Sequence, residues 1–294
     1  MKTVVSLQDL LEYEIRPRAL LAEYHRLTEA AVRAWPVDSF NEVACPGCGG
    51  EAAHTAFERF GLTYKECGTC ATVYLSPRPD AGTLAGHARS SDAARFWRER
   101  ILPETEGARR EKILQPRSDW IRDAIAEYAP GATSVLDLSP YELPDDGGPV
   151  HAITAFEVVD RAPDVPALVA AARRALRPGG LLFVTAPSIT GFELQVLWDR
   201  AVTIAPPEKI NLLSIRGFIA LFRAGWEIVE LSTPGMFDVE TVRRAVDAAP
   251  AAQWPRFVRT LVSETDAQRR MEFQEYLQRA RLASFARLIV RRTG

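Results

Sequence analysis

The chain has 294 residues, of which 47% are hydrophobic and 25% charged, an ordinary composition for one large folded domain or two modest ones. Its formal net charge of −2 gives no overall basic field to draw nucleic acid or an anionic membrane surface. No apolar run approaches the ~20 residues that cross a bilayer, and the opening MKTVVSLQDLLEYE carries charge where a secretory signal needs an apolar centre. The expectation is a cytoplasmic protein with neither membrane nor nucleic acid as partner.

Residues 1–42 are expected to form an N-terminal helical segment. Leu10, Leu11, Tyr13, Leu20, Leu21, Tyr24, Leu27 and Ala31 recur at helical spacing. Ser6 is placed to cap the start, and Pro17 to kink or split the helix, because it lacks an amide hydrogen and clashes with the preceding turn. An amphipathic docking helix accounts for the pattern.

Residues 43–80 read as a zinc ribbon. Cys45-Pro-Gly-Cys48 and Cys67-Gly-Thr-Cys70 are separated by 18 residues, inside the spacing of four-cysteine zinc sites. Each tight turn offers two thiolates to one tetrahedral ion at ~2.3 Å, and four thiolates leave no open position, so the metal is expected to be structural. FERFGLTYKE and ATVYL supply short strands, His54 reads as a polar ribbon residue, and SPRPD (Ser76–Asp80) is the exit. The ribbon's cations ahead of that exit, Arg59 and Lys65, equip it poorly for phosphate contacts.

Residues 81–130 read as a helical linker that buries Phe96, Trp97, Ile101, Leu114, Trp120, Ile121 and Ile125. Arg109, Arg110, Lys112, Arg117 and Arg122 interleave with Glu104, Glu106 and Glu111 and read as a solvated face. From residue 131 strands and helices alternate. SVLDL is followed by a strand near 150–158, a helix at 164–177, a turn at Arg177-Pro-Gly-Gly180 into LLFVTAP, a helix at 214–224 and the strand WEIVELSTPG. That alternation predicts a parallel sheet covered by helices in a domain spanning 131–238, with a helical tail at 239–294.

The segments AFEVVDRAPDVPALVAAARRALRPGGLLFVTAPS and PPEKINLLSIRGFIALFRAGWEIVELSTPG resemble the second half of class I S-adenosylmethionine-dependent methyltransferases. With the ribbon, the SPRP exit and STPGMFDVETV, nearly the whole chain resembles bacterial methyltransferases with an N-terminal zinc ribbon, a group that includes sugar C-methyltransferases. The expected fold class is α/β: zinc ribbon and helices, then a reduced Rossmann-like, methyltransferase-type parallel sheet.

The resemblance implies a glycine-rich turn after the first strand, where backbone amides approach the cofactor because glycine has no Cβ. Here Asp137 is followed by Leu138-Ser139-Pro140-Tyr141-Glu142, and Gly147-Gly148 come too late to replace that turn. Only 18 residues separate Asp137 from Phe156, whereas the two further strand–helix units of the family fold need roughly 45. The part that is missing is the one implied to hold the ribose hydroxyls and adenine, so S-adenosylmethionine is not expected as a cofactor. The loop Ser139–Pro149 can extend ~36 Å and return along a ~17 Å strand, which puts SVLDL at the sheet edge. An apolar edge invites pairing. Residues 134–138 are therefore expected to be covered by the N-terminal helices, a second copy in a homodimer, or a pathway protein.

Ligands of open α/β sheets sit beyond the carboxyl ends of the strands. On the retained acceptor side this singles out Glu157, Asp160, Glu208 and Lys209 as candidate catalytic groups, with Asp137, Tyr141, Arg161, Asn211 and Gln195 as candidate contacts to a small-molecule substrate. Glu157 and Asp160 can act as acid and base or hold an amine or hydroxyls; a helix-start role is the alternative for Glu157. The resemblance implies a histidine general base near Lys209. A lysine there, ordinarily titrating at about 10.4, suits anion binding or polarisation, or acts as a base if desolvated; a surface residue beside Glu208 is the alternative. Trp198 is expected to pack, and His25, His54, His87 and His151 are scattered. The leading expectation is a donor-independent enzyme performing displacement, cyclisation, elimination or isomerisation on a sugar-like or amine-bearing intermediate of a natural-product or polysaccharide pathway. The alternatives are an active methyltransferase whose site a partner completes, and a non-catalytic partner of another pathway enzyme.

Overall fold

A computed structural model of the chain describes residues 2–5, 12–142, 148–249 and 253–294. Ser6, Leu10, Leu11 and Gly147, singled out above, lie outside the described residues. Pro17 splits the N-terminal segment into helix α1 (Glu12–Ile15) and helix α2 (Arg18–Arg33), as a residue without an amide hydrogen should.

The ribbon is an antiparallel meander of β1 (Ala53–Arg59), β2 (Leu62–Cys67) and β3 (Val73–Leu75). The β1–β2 hairpin closes on Phe60 and Gly61, both at positive φ (55° and 80°), the mirror-image turn whose twist suits paired strands. The linker follows as α3 (Ala81–Ser90), α4 (Asp92–Phe96), α5 (Leu102–Arg109) and α6 (Gln115–Tyr128), with π-helical turns at Trp97–Ile101 and Arg110–Leu114. Asp80 caps α3 by accepting from the Thr83 amide at 2.7 Å, and Ser91 caps α4 by accepting from the Ala94 amide at 3.0 Å.

The α/β part contains β4 (Val135–Asp137), β5 (Val150–Phe156), α7 (Val165–Ala175), β6 (Leu176–Pro187), α8 (Phe192–Leu197), β7 (Asn211–Leu212), α9 (Ile215–Leu221) and β8 (Trp226–Ser232). It ends with α10 (Asp238–Asp247), α11 (Arg256–Val262), α12 (Ala267–Arg279) and β9 (Phe285–Arg292). The large sheet has the order β4-β5-β6-β9-β8. β4, β5 and β6 are parallel, and β9 runs antiparallel to both β6 and β8.

Two expectations are corrected here. The sheet is mixed rather than all parallel, and the tail is helical only as far as Arg279. FARLIVRR becomes a strand because its apolar residues serve two faces at once: Ala286, Leu288 and Val290 join the core under α7 and α9, while Ile289 joins the opposite core under α6. An apolar run buried on both faces carries no clean alternation to mark it as a strand.

β4 lies at the sheet edge as expected, and Val135 is 52% exposed. α6 packs Trp120, Ile121 and Ile125 on the face formed by Ala152, Leu181 and Phe183, and α2 packs Leu20, Tyr24 and Leu27 on Ala93 and Ile101.

The ribbon is welded to the α/β part. β7 adds to it as a fourth strand, pairing Val73 with Leu212 and Tyr74 with Asn211. Ser214, which caps α9 through the Gly217 amide, also donates its hydroxyl to the Cys70 carbonyl, and the Tyr64 hydroxyl donates to the Lys209 carbonyl at 2.8 Å. Helix α8 is docked with as little tolerance: a Cβ on Gly191 would lie 2.1 Å from the Ser284 Cα. Gly191→Ala forces backbone apart and is expected to destabilise the fold by about 3 kcal/mol, read as a lowered urea midpoint. Among the described residues no helix is long and apolar enough to cross a membrane.

Candidate functional site

A cavity of about 680 Å³ opens beyond the carboxyl ends of β5 and β6, roofed by α2, α5 and α6. Five of the nine candidate catalytic and substrate-contact residues line it: Tyr141, Glu157, Arg161, Glu208 and Lys209. They arrive from three separate segments, namely the loop after β4, the loop after β5 and the loop before β7.

Glu157 terminates β5 with φ of 51°, a left-handed conformation that typically costs a branched or long residue about 1–3 kcal/mol and is found at functional sites. Its amide donates to the Thr185 carbonyl at 2.8 Å. Its carboxylate accepts from the Arg117 guanidinium at 2.5 Å and from the Thr185 hydroxyl at 2.9 Å. Arg117 also stacks over the Phe156 ring, 5.0 Å from its centroid. Burial pushes the Glu157 carboxyl up, but Arg117 outweighs it, with help from Lys209 and Thr185, and holds it below the usual range.

Glu208 follows the same logic. Burial raises it, and Arg161, Lys209 and the donating Tyr24 hydroxyl together bring it below its ordinary value. Tyr24 in turn is pushed well up, first by burial and then by the Glu208 charge, so it stays a donor across the physiological range. Burial lowers His25 and His87 against the raising pull of Glu208, which keeps both imidazoles neutral near pH 7. Lys209 donates to Asp160, which is fully buried and whose second oxygen has no partner among the described residues. Asp160 thus anchors Lys209 from beneath the cavity and does not line it.

Three expected substrate contacts are elsewhere. Asp137 accepts from the Thr154 hydroxyl on the neighbouring strand. Asn211 spends its side-chain amide on the Val159 and Ala162 carbonyls, at 2.9 and 2.8 Å, fixing the loop after β5. Gln195 donates to the Ile189 carbonyl at 2.7 Å. None of the three lines the cavity, because short polar side chains beside irregular backbone are drawn to its unpaired carbonyls. Trp198 packs against Phe57 of the ribbon, as expected, and His54 sits 3.4 Å from Glu66 on the ribbon surface.

The basic stretch of the linker is only in part the solvated face that its composition suggested: Arg110 and Arg122 are exposed and pair with Glu106 and Asp119, whereas the other three turn inward. Arg109 donates to the Ile15 carbonyl and lies over the Trp97 ring, Lys112 pairs with Glu14, and Arg117 pairs with Glu157. Arg109, Ile113, Pro116 or Arg117, and Trp120 recur at three- and four-residue steps, which is the signal for one shared helix face. Glu193 and Asp238 also line the cavity and carry no motif that would have marked them.

The four cysteines form a second centre. Cys45 and Cys70 place their sulfurs 3.5 Å apart, as do Cys48 and Cys67, and all four sulfurs fall within 4.8 Å of one another. Thiolates bound at ~2.3 Å to one tetrahedral ion lie close to these separations, so the donor set fits a metal ion.

A family model described as a methyltransferase domain matches residues 47–231. The chain belongs to this methyltransferase-domain family. No curated protein matches it. Among solved structures, the cyclase SpnF is 14% identical, covering 53% of this chain and 54% of its own, with a TM-score of 0.30. A putative sarcosine dimethylglycine methyltransferase from Galdieria sulphuraria is 15% identical over 68% of this chain and 74% of its own, with a TM-score of 0.32. Mycolic acid cyclopropane synthase is 15% identical over 49% and 56%, with a TM-score of 0.27. The chain thus spans about half the length of the cyclase and of the cyclopropane synthase.

In a methyltransferase domain the turn after the first strand is the natural place for a cofactor to touch backbone. Here that turn is Leu138-Ser139-Pro140-Tyr141. It offers one amide fewer because of Pro140, and Tyr141 projects into the cavity, where the amide–hydroxyl bond to Ser139 at 3.3 Å holds its backbone. Among the described residues no strand lies beyond β4.

Proposed function

We propose that this chain is a methyltransferase-derived enzyme that works without S-adenosylmethionine, on a small molecule bound in the cavity over β5 and β6. The observation that carries the reading is the turn after β4: a proline and a cavity-lining tyrosine stand where the cofactor needs bare backbone, at a sheet edge beyond which no strand lies among the described residues. These residues do not fit the cofactor in the family manner.

The chemistry that remains is acid–base and electrostatic. Glu157 and Glu208 are held ionised, so either can take a proton from a bound substrate. Tyr24 and Arg161 are positioned to donate to oxygen that gains charge as a bond breaks. Lys209, anchored on Asp160, fixes the loop that presents Glu208. Displacement, cyclisation, elimination and isomerisation need only these functions, and a sugar-like or amine-bearing intermediate suits a mixed polar and aromatic lining. The four thiolates are assigned to a structural Zn²⁺, which closes the ribbon and takes no part in the reaction.

Isothermal titration with S-adenosylhomocysteine tests the reading. No saturable heat is expected from the isolated chain, and binding in the micromolar range overturns it. A second reading is favoured by the exposed edge at Val135: a partner, either a second copy or another pathway protein, pairs with β4 and completes a cofactor site or uses this chain as a non-catalytic support. Sedimentation of the purified chain separates the two, since a strict monomer that still turns over substrate excludes the partner-dependent reading.

A further inference from the structure

One wall of the cavity is acidic. Glu193, in the first turn of α8, and Asp238, the first residue of α10, both line it. Asp238 is fully engaged: it accepts from the Ser284 amide at 2.7 Å, the Glu193 amide at 3.4 Å and the Gln274 side chain at 3.2 Å. The Glu193 carboxyl accepts from no donor and pairs with no cation among the described residues, and the residue sits half-buried in the cavity lining.

Two carboxyls so placed are unfavourable while both are charged, since burial removes water and each repels the other. Burial and then the Asp238 charge push Glu193 up to about 7, against a smaller lowering pull from Arg16, whose guanidinium is 3.5 Å from Glu12. Burial likewise raises Asp238, opposed by its hydrogen bonds. An unpaired carboxyl of this kind needs either a proton or a cation. Phe237 and Phe285 line the same cavity, and aromatic rings attract organic cations.

We propose that the Glu193–Asp238 wall is a subsite for a protonated amine carried by the substrate. The proposal rests on the reading of this cavity as the substrate site and adds the charge of the group that the substrate places there. The ammonium replaces the proton on Glu193, so binding near neutrality releases a proton to solvent as the ion pair forms.

Cyclohexylammonium and cyclohexanol serve as probes of equal shape and different charge. Calorimetric titration of the full chain at neutral pH, in two buffers of different protonation enthalpy, is expected to show saturable binding of cyclohexylammonium with proton release, and weaker or no binding of cyclohexanol. Glu193→Gln, which keeps the side-chain shape and removes a buried charge, is expected to weaken cyclohexylammonium about tenfold or more and to abolish the proton release. Equal binding of the two probes, no binding of the ammonium, or an unaltered affinity in Glu193→Gln overturns the proposal. Should the variant fail to fold, the two-probe comparison and the proton count on the unsubstituted chain decide the matter alone. S-adenosylhomocysteine takes no part in these readouts, so cofactor binding would overturn the donor-free reading and leave the amine preference standing.

Discussion

Replacing Cys67 with serine is expected to abolish zinc binding by the four-thiolate site proposed above and to destabilise the whole protein, by about 4 kcal/mol or more. The ribbon has little else to hold its knuckles. Its tip cluster consists of Cys45, Cys67, Cys70 and Tyr74, with Val43 and Cys48 against it, so the thiols themselves are most of the local core. Structural zinc contributes folding free energy outright, and losing one of four ligands leaves a three-coordinate ion with a much lower affinity. The damage does not stop at the ribbon. β3 pairs with β7, the Ser214 hydroxyl is bonded to the Cys70 carbonyl, and Gly217 of α9 packs on Thr72. A loosened knuckle therefore frees the N-terminus of α9 and the loop that carries Glu208 and Lys209. Metal analysis should find about one zinc per chain before the substitution and none after, with a single lowered melting transition. An unchanged melting temperature in Cys67→Ser would show that the sulfur cluster is not a structural metal site.

The second large effect is expected at Lys209. Its ammonium meets Asp160, a carboxylate with no exposed surface and one unpartnered oxygen. Lys209→Ala leaves that carboxylate in the interior without its counter-charge, and breaking a buried pair from one side typically costs about 3–5 kcal/mol. The double substitution Lys209→Met with Asp160→Leu removes both charges and keeps most of the volume, so it is expected to recover most of the loss. Urea unfolding of the single and double variants measures this coupling. A single variant within about 0.5 kcal/mol of the parent, the range of ordinary surface changes, would mean that the pair is not buried as described. The same variant should also weaken substrate binding, because the Lys209 side chain ties the loop that carries Glu208 to the loop after β5.

Much of the fold was legible because its signals are local. Two cysteine pairs at metal spacing, Pro17 between two helical runs, and the short interval between Asp137 and Phe156 each speak through a few adjacent residues. The edge position of β4 followed from the family resemblance and the short interval taken together. β9 was not legible: FARLIVRR is buried on both faces, and its antiparallel insertion between β6 and β8 depends on partners distant in sequence. The site divides the same way. Glu157, Arg161, Glu208 and Lys209 follow strand ends or a recognisable loop, so their place at the cavity could be read. Arg117, Tyr24 and Glu193 reach it from helices whose orientation only tertiary packing sets. Asn211 and Gln195 looked like ligand contacts and instead satisfy loop carbonyls, a demand that sequence does not display.

The most direct measurement is a crystal structure of the chain grown with a large excess of S-adenosylhomocysteine. Tyr141 is expected in its place at the cavity wall, with no adenosyl density along β4. An adenosyl group lying against Asp137, with the Ser139–Tyr141 turn moved aside to admit it, would contradict the donor-free reading.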